Sequence, residues 1–122
     1  MGAGLALQFK KKYPQIFDDY MAAYKAGHLK LGNVVITKIH NNLYIASICG
    51  QENYGTNKNQ IYTDYNAVIK GLDRIQKFSI ENLVNPIYIP YLMGCGLGGG
   101  DWNTVIQCMY MTTKDAIIVR RY

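Results

Sequence analysis

An α/β layered domain with a partly parallel sheet is the fold class that this 122-residue sequence predicts. Three observations carry it. Segments of helical periodicity alternate with short β-branched or apolar runs, in the order α, β, β, α, β, α, β. Apolar residues make up 49% and charged residues 17%, the balance of a folded globule rather than a disordered chain. A glycine cluster at 94–100 lies between an apolar run and a helix-like pattern, where layered folds turn from strand to helix. The length suits one domain over residues 1–122, with a real core and no room for a second.

The first residues, Met1-Gly2-Ala3-Gly4 followed by Leu5-Ala6-Leu7-Gln8-Phe9, read as a small-residue loop opening a helix. Such a loop normally follows a strand, and none precedes it here. Pro14 suits a first helical position, and Ile16, Phe17, Tyr20, Met21 and Tyr24 recur at helical spacing until Gly27 ends the run. Residues 32–39 carry Val34, Val35 and Ile36, a strand signal. His40-Asn41-Asn42 predicts a turn, because asparagine tolerates left-handed backbone. Residues 43–49 are apolar enough for a central strand, antiparallel to the first.

A polar, glycine-bounded loop follows at 50–59, too long for a mere connection. Tyr62, Tyr65, Val68, Ile69, Leu72 and Ile75 then mark an amphipathic helix. Residues 87–90 form a short buried strand leading into the glycine loop. Trp102, Val105, Ile106 and Met109 set the stripe of a last helix, and residues 116–121 close the chain as a strand.

Five glycines fall within Gly94-Cys95-Gly96-Leu97-Gly98-Gly99-Gly100. Without Cβ atoms, backbone N–H groups approach an anion closely, and the following helix N-terminus adds partial positive charge. A phosphate-bearing ligand fits that description; so does a tight turn packing a helix on a sheet. The spacing is neither a Walker A loop nor a dinucleotide fingerprint. The loop at Gly2, Ala3 and Gly4 also opens a helix, so two helix starts facing one crevice would suit a diphosphate. Gln51, Asn53 and Tyr54 supply hydrogen bonds and a stacking face for a sugar or ring.

Asp101 is the one carboxylate beside the glycine loop. It reads equally as a group that orients water and as a plain N-cap of the Trp102 helix. Cys95 lies near a helix start that would lower its pKa, but no histidine can be placed beside it as a base. His28 and His40 read as exposed or capping residues. The three cysteines, Cys49, Cys95 and Cys108, have no metal-ligand spacing and read as reduced thiols of a cytoplasmic protein. No metal or cofactor is expected. The longest uncharged stretch, 82–100, is broken by Pro86 and Pro90, which argues against a membrane span, and no signal segment opens the chain. Net charge is +5, favouring anionic partners in general. The run Lys10-Lys11-Lys12 reads as a solvated helix face, so nucleic-acid binding rests on charge alone.

Four segments taken together, 1–14, Gly-Gln-Glu-Asn-Tyr-Gly at 50–55, Tyr-Thr-Asp-Tyr at 62–65 and Gly-Cys-Gly-Leu-Gly-Gly-Gly-Asp-Trp at 94–102, resemble the macrodomain family. They look most like its branch of ADP-ribose-1''-phosphate phosphatases and small ADP-ribosyl glycohydrolase relatives, common in bacteria and phages. The resemblance implies a three-layer α/β/α fold with a mixed sheet and ADP-ribose in a crevice at the strand ends. Gly2, Ala3 and Gly4 would line the diphosphate and distal ribose, the 94–100 loop would wrap the diphosphate, and Gln51, Asn53 and Tyr54 would lie toward the ribose. Asp101 matches the aspartate of the glycine-rich motif.

Two departures stand out. Family members begin with two further strands, carrying an aspartate for adenine and an asparagine near the distal ribose; this sequence has neither, so an N-terminally shortened fold is expected. Relatives that cleave ADP-ribose from acidic side chains have a lysine and a loop aspartate where Gln51 and Gly98 stand here, which argues against that lysine-based mechanism. The function implied is removal of the terminal phosphate from ADP-ribose-1''-phosphate, with Asp101 acting on the attacking water. The alternatives are a non-catalytic ADP-ribose binder, an ADP-ribosyl glycohydrolase, or a truncated inactive fragment.

Overall fold

The computed structural model describes residues 4–49, 64–90, 100–113 and 116–119. It opens with two helices, α1 (Gly4–Lys12) and α2 (Pro14–Lys25), split at Tyr13. The split follows from Pro14: its ring disfavours helical backbone at the preceding residue, and Tyr13 sits at φ −130, ψ 81. Three lysines fill the last turn of α1, where the helix dipole favours positive charge. Lys10 and Lys12 lie over the Phe17 and Tyr13 rings, at 4.0 and 5.5 Å from their centroids, so this basic run is not wholly solvated. Gly27 ends α2 in the left-handed region at φ 74, with its N–H donating to the Tyr24 carbonyl and the His28 N–H donating to that of Ala23. This is the paired capping that a glycine just past a helix permits.

Strands β1 (Val34–His40) and β2 (Leu43–Ile48) form the expected antiparallel hairpin, registered from Val34 opposite Ile48 to Lys38 opposite Tyr44. The turn is Asn41-Asn42 alone; His40 belongs to β1, after an irregularity between Lys38 and His40. Side-chain alternation then sorts the hairpin's faces. Thr37 is buried and donates to the Asp19 carboxylate of α2 at 2.8 Å. On the opposite face, Tyr44 meets Phe78 edge-on with centroids 5.1 Å apart, and Ile48 meets Gly71. Phe78 and Gly71 belong to helix α3 (Tyr65–Asn82). The hairpin is thus sandwiched between α2 and α3, the α/β/α layering expected.

Helix α3 starts on Asp64, whose side chain accepts the Ala67 N–H at 3.0 Å. It ends on Leu83, at φ 54, with Val84 N–H returning to the Ser79 carbonyl. The remaining strands, β3 (Tyr88–Pro90) and β4 (Ile117–Val119), pair in parallel and are joined through helix α4 (Trp102–Thr112). A parallel pair needs such a crossover, since a short turn cannot return the chain to the same direction.

The two strand pairs, one antiparallel and one parallel, make the sheet mixed. Among the described residues β2 pairs only with β1, so its expected central place is not seen there. The core lies where α3 packs on α4: Val68, Leu72, Ile89, Cys108 and Met109 are buried together, with Ile48, Tyr65, Ile69, Ile87, Trp102 and Ala116 against them. The apolar stripe of α2 is narrower than its spacing implies. Ile16 is buried, but Tyr24 is 64% exposed.

Candidate functional site

The described part of the candidate site is the place where α3 and α4 begin. Each helix opens with an aspartate in extended backbone, three residues before the N–H it caps. Asp101 Oδ2 accepts both the N–H and the hydroxyl of Thr104, at 3.1 and 2.9 Å. Its own backbone N–H donates to the Tyr65 hydroxyl at 2.8 Å, which ties the start of α4 to the first residue of α3. Asp101 is exposed and Gly100 beside it is half-buried. The carboxylate is therefore a working N-cap with its other oxygen turned to no described partner.

The cap alters how this end could hold an anion. A bare helix N-terminus offers unpaired N–H groups and partial positive charge. Here a carboxylate already occupies that position on α4, and another does so on α3. The cap takes one of the helix-end N–H groups, that of Thr104, so a phosphate at this place would meet the Asp101 carboxylate beside the donors that remain.

Of the other expected site residues, Gly4 starts α1 and Gly100 precedes Asp101. Gly2, Ala3, Gln51, Asn53, Tyr54, Gly94, Cys95, Gly96, Leu97, Gly98 and Gly99 lie outside the described residues. Sequence reasoning did not place Tyr65 among the candidate site residues; it put this residue in an apolar stripe and in the Tyr-Thr-Asp-Tyr motif of the resemblance, without its bond to Asp101. The signal available was its position directly after Asp64, in the first turn of α3, where a side chain reaches past the helix end.

Among the described residues the remaining reactive groups are elsewhere. Cys108 is buried in the core, and burial pushes its thiol up, which keeps it protonated and inert. His28 and His40 are exposed, at the end of α2 and the end of β1. The described residues contain no group of three metal-ligating side chains and no helix long and apolar enough to cross a membrane. A cavity of about 610 Å³ opens between α2, β1 and the second half of α3, lined by residues such as His28, Val35, Arg74 and Phe78, away from Asp101.

Comparison with known proteins agrees with this architecture. The DNA ADP-ribosyl glycohydrolase of Mycobacterium tuberculosis is 29% identical over 110 residues, covering 88% of this chain and 30% of that protein. The chain thus spans less than a third of the curated relatives it matches. The macrodomain of Thermus aquaticus DarG superposes with a TM-score of 0.76 at 25% identity, over 100% of this chain and 80% of that one. A structure from Bacteroides thetaiotaomicron superposes with a TM-score of 0.81 at 26% identity, over 98% of this chain and 78% of its own. The Macro domain family itself matches residues 1–109. With the family's α/β fold over nearly its whole length, the chain belongs to the Macro domain family.

Proposed function

We propose that this macrodomain binds ADP-ribose and hydrolyses the bond that attaches the distal ribose to a larger molecule, an ADP-ribosylated nucleic acid being the substrate class. The observation that carries the reading is Asp101: an exposed carboxylate at the junction of α3 and α4, directly after the glycine loop. Its bonds to Thr104 end on Oδ2, and among the described residues Oδ1 has no partner, which leaves it to a water in this reading. In the reaction, that water's oxygen bonds to the anomeric carbon while the glycosidic bond breaks. Asp101 takes the water's proton, and the leaving base is protonated from solvent. General-base help of this kind contributes about 10²- to 10⁴-fold. The name of the Mycobacterium tuberculosis relative, a DNA ADP-ribosyl glycohydrolase, supports the nucleic-acid substrate.

A second reading keeps the same site and changes the leaving group. Gln51 and Gly98 stand where lysine-dependent glycohydrolases carry a lysine and an aspartate, which favours removal of the terminal phosphate from ADP-ribose-1''-phosphate. One experiment separates the readings. The protein is incubated with an ADP-ribosylated single-stranded oligonucleotide and, separately, with ADP-ribose-1''-phosphate, while calorimetry measures ADP-ribose binding. Release of free ADP-ribose from the oligonucleotide is expected. Release of inorganic phosphate alone would replace this reading with the phosphatase, and binding without product would leave a reader of ADP-ribose.

A further inference from the structure

Among the described residues the outer edge of β1 has no partner strand, and it lies at the bottom of a groove whose α3 wall carries Arg74 and Lys77, outside the site described above. The Cys49 N–H donates to the Asn33 carbonyl at 2.9 Å, so Asn33 is a bonded position of the hairpin ladder. In an antiparallel pair the bonded positions alternate. Val35 and Thr37 therefore face β2 with their backbone groups, while Val34 and Ile36 turn theirs to the outer side. Among the described residues no strand pairs there. Unpaired edges of this kind are templates for another strand unless they are blunted. The hairpin end of β1 is blunted, by exposed Lys38 and the irregularity before His40. The Val34–Ile36 end is not. It lies in the cavity of about 610 Å³, walled by α2 and the chain after it on one side and by α3 on the other.

The two walls differ in chemistry. Ala23 is small and apolar on the α2 side, whereas α3 presents Arg74 and Lys77, with Glu81 one turn further on. Arg74 spends one guanidinium nitrogen on the Asn33 side chain, which leaves further donors. Lys77 pairs with Asp73 at 3.1 Å, but both are well exposed, and such pairs contribute little and exchange readily. A second copy of the chain would set Lys38, Arg74 and Lys77 against their own counterparts, on a protein already carrying +5. With only Glu81 to offset them in the lining, Arg74 and Lys77 weigh against self-pairing and favour an anionic strand.

We propose that this groove binds an extended acidic peptide segment of another protein by strand addition to β1. Main-chain bonds to Val34 and Ile36 hold the segment. Its side chains alternate, carboxylates toward Arg74 and Lys77 and apolar groups toward Ala23, because successive residues of a strand point to opposite faces. The groove is separate from the hydrolytic site: Arg74 is nine residues along α3 from Tyr65, about 14 Å at the helical rise.

The test is fluorescence anisotropy with the intact protein and a labelled octapeptide alternating glutamate and valine. Binding is expected to weaken about tenfold in the Arg74→Gln/Lys77→Gln variant, and by a similar factor for a peptide alternating lysine and valine. A peptide N-methylated at alternate residues should also bind about tenfold less, since it loses the ladder donors; this control needs no variant to fold. Equal binding of the lysine peptide or of the N-methylated peptide overturns the proposal, as does no binding of the glutamate peptide at millimolar concentration. Concentration-dependent dimerisation abolished by Ile36→Pro would give the groove to a second copy and overturn it equally.

Discussion

Asp64 and Asp101 are the same residue in the same local role, yet their surroundings differ. Each precedes a helix and accepts the N–H three residues on, at 3.0 and 3.1 Å. Asp64 is half-buried at the start of α3. Asp101 is exposed, follows the glycine loop, also holds the Thr104 hydroxyl, and has its backbone N–H bound by Tyr65. Capping α4 requires only the bond to the Thr104 N–H. Exposure and the tie to Tyr65 add nothing to a cap, but they fix a carboxylate at a defined point beside the loop, as water activation requires. In the proposed reaction one carboxylate would serve both as helix cap and as base, and nothing in its capping bonds forbids the second role.

The sharpest way to break that comparison is the pair Asp101→Asn and Asp64→Asn. Asparagine caps about as well as aspartate but accepts no proton. Asp101→Asn should lower turnover of the ADP-ribosylated oligonucleotide by about 100-fold or more, with ADP-ribose affinity unchanged within about twofold and a near-native melting temperature. Asp64→Asn should leave all three intact. Equal turnover in the two variants would reduce Asp101 to a cap.

This contrast also shows how far the sequence could be read. Asp101 was legible because an acid before Trp102, after a run of glycines, is an explicit helix start. Asp64 was not, because Tyr62 continues the apolar periodicity and hides the boundary. The break at Tyr13-Pro14 and the stop at Gly27 follow from covalent restrictions, which act wherever the chain lies. Leu83 ends α3 in left-handed backbone with no glycine to announce it. There the stop is held by two local bonds across the turn, the Val84 N–H donating to the Ser79 carbonyl and the Ser79 hydroxyl donating to the Val84 carbonyl, rather than by a propensity. Tyr65 shows the same limit in the site: its ring fits the apolar stripe, and only the fold brings its hydroxyl to Asp101. For the glycine loop and for Gln51 to Tyr54 the sequence remains the only guide, since they lie outside the described residues.

The next effect in size moves one aspartate relative to the other. Gly71 lies in α3 where a Cβ would stand 2.4 Å from Ile48 Cγ2 and 3.2 Å from its Cβ. The second atom is not the free end of a flexible side chain, so α3 and β2 must separate. Gly71→Ala gains about 1 kcal/mol of helix propensity and loses about 1–3 kcal/mol to overpacking. A net loss of up to about 2 kcal/mol in urea denaturation is expected. Because α3 carries Tyr65 and Asp64 but not Asp101, turnover should fall along with stability. Full turnover in a destabilised Gly71→Ala protein would show that the position of Asp101 does not depend on α3.

The smallest effect isolates the link itself. Tyr65→Phe keeps the ring that packs against the core and removes only the hydroxyl that accepts the Asp101 N–H. The bond lies at an exposed position, so water can replace the lost acceptor, and the cost to stability is about 0.5–1 kcal/mol. Its effect on the site differs in kind. With the hydroxyl gone, Asp101 remains a cap through Thr104, but the start of α4 is no longer tied to α3. If the tie positions the carboxylate, kcat should fall several-fold while KM and the capping of α4 are unchanged, and Tyr65→Phe combined with Asp101→Asn should cost no more than Asp101→Asn alone. Additive losses in that double variant would mean that Tyr65 acts on the substrate independently and that the two helix starts are not one device.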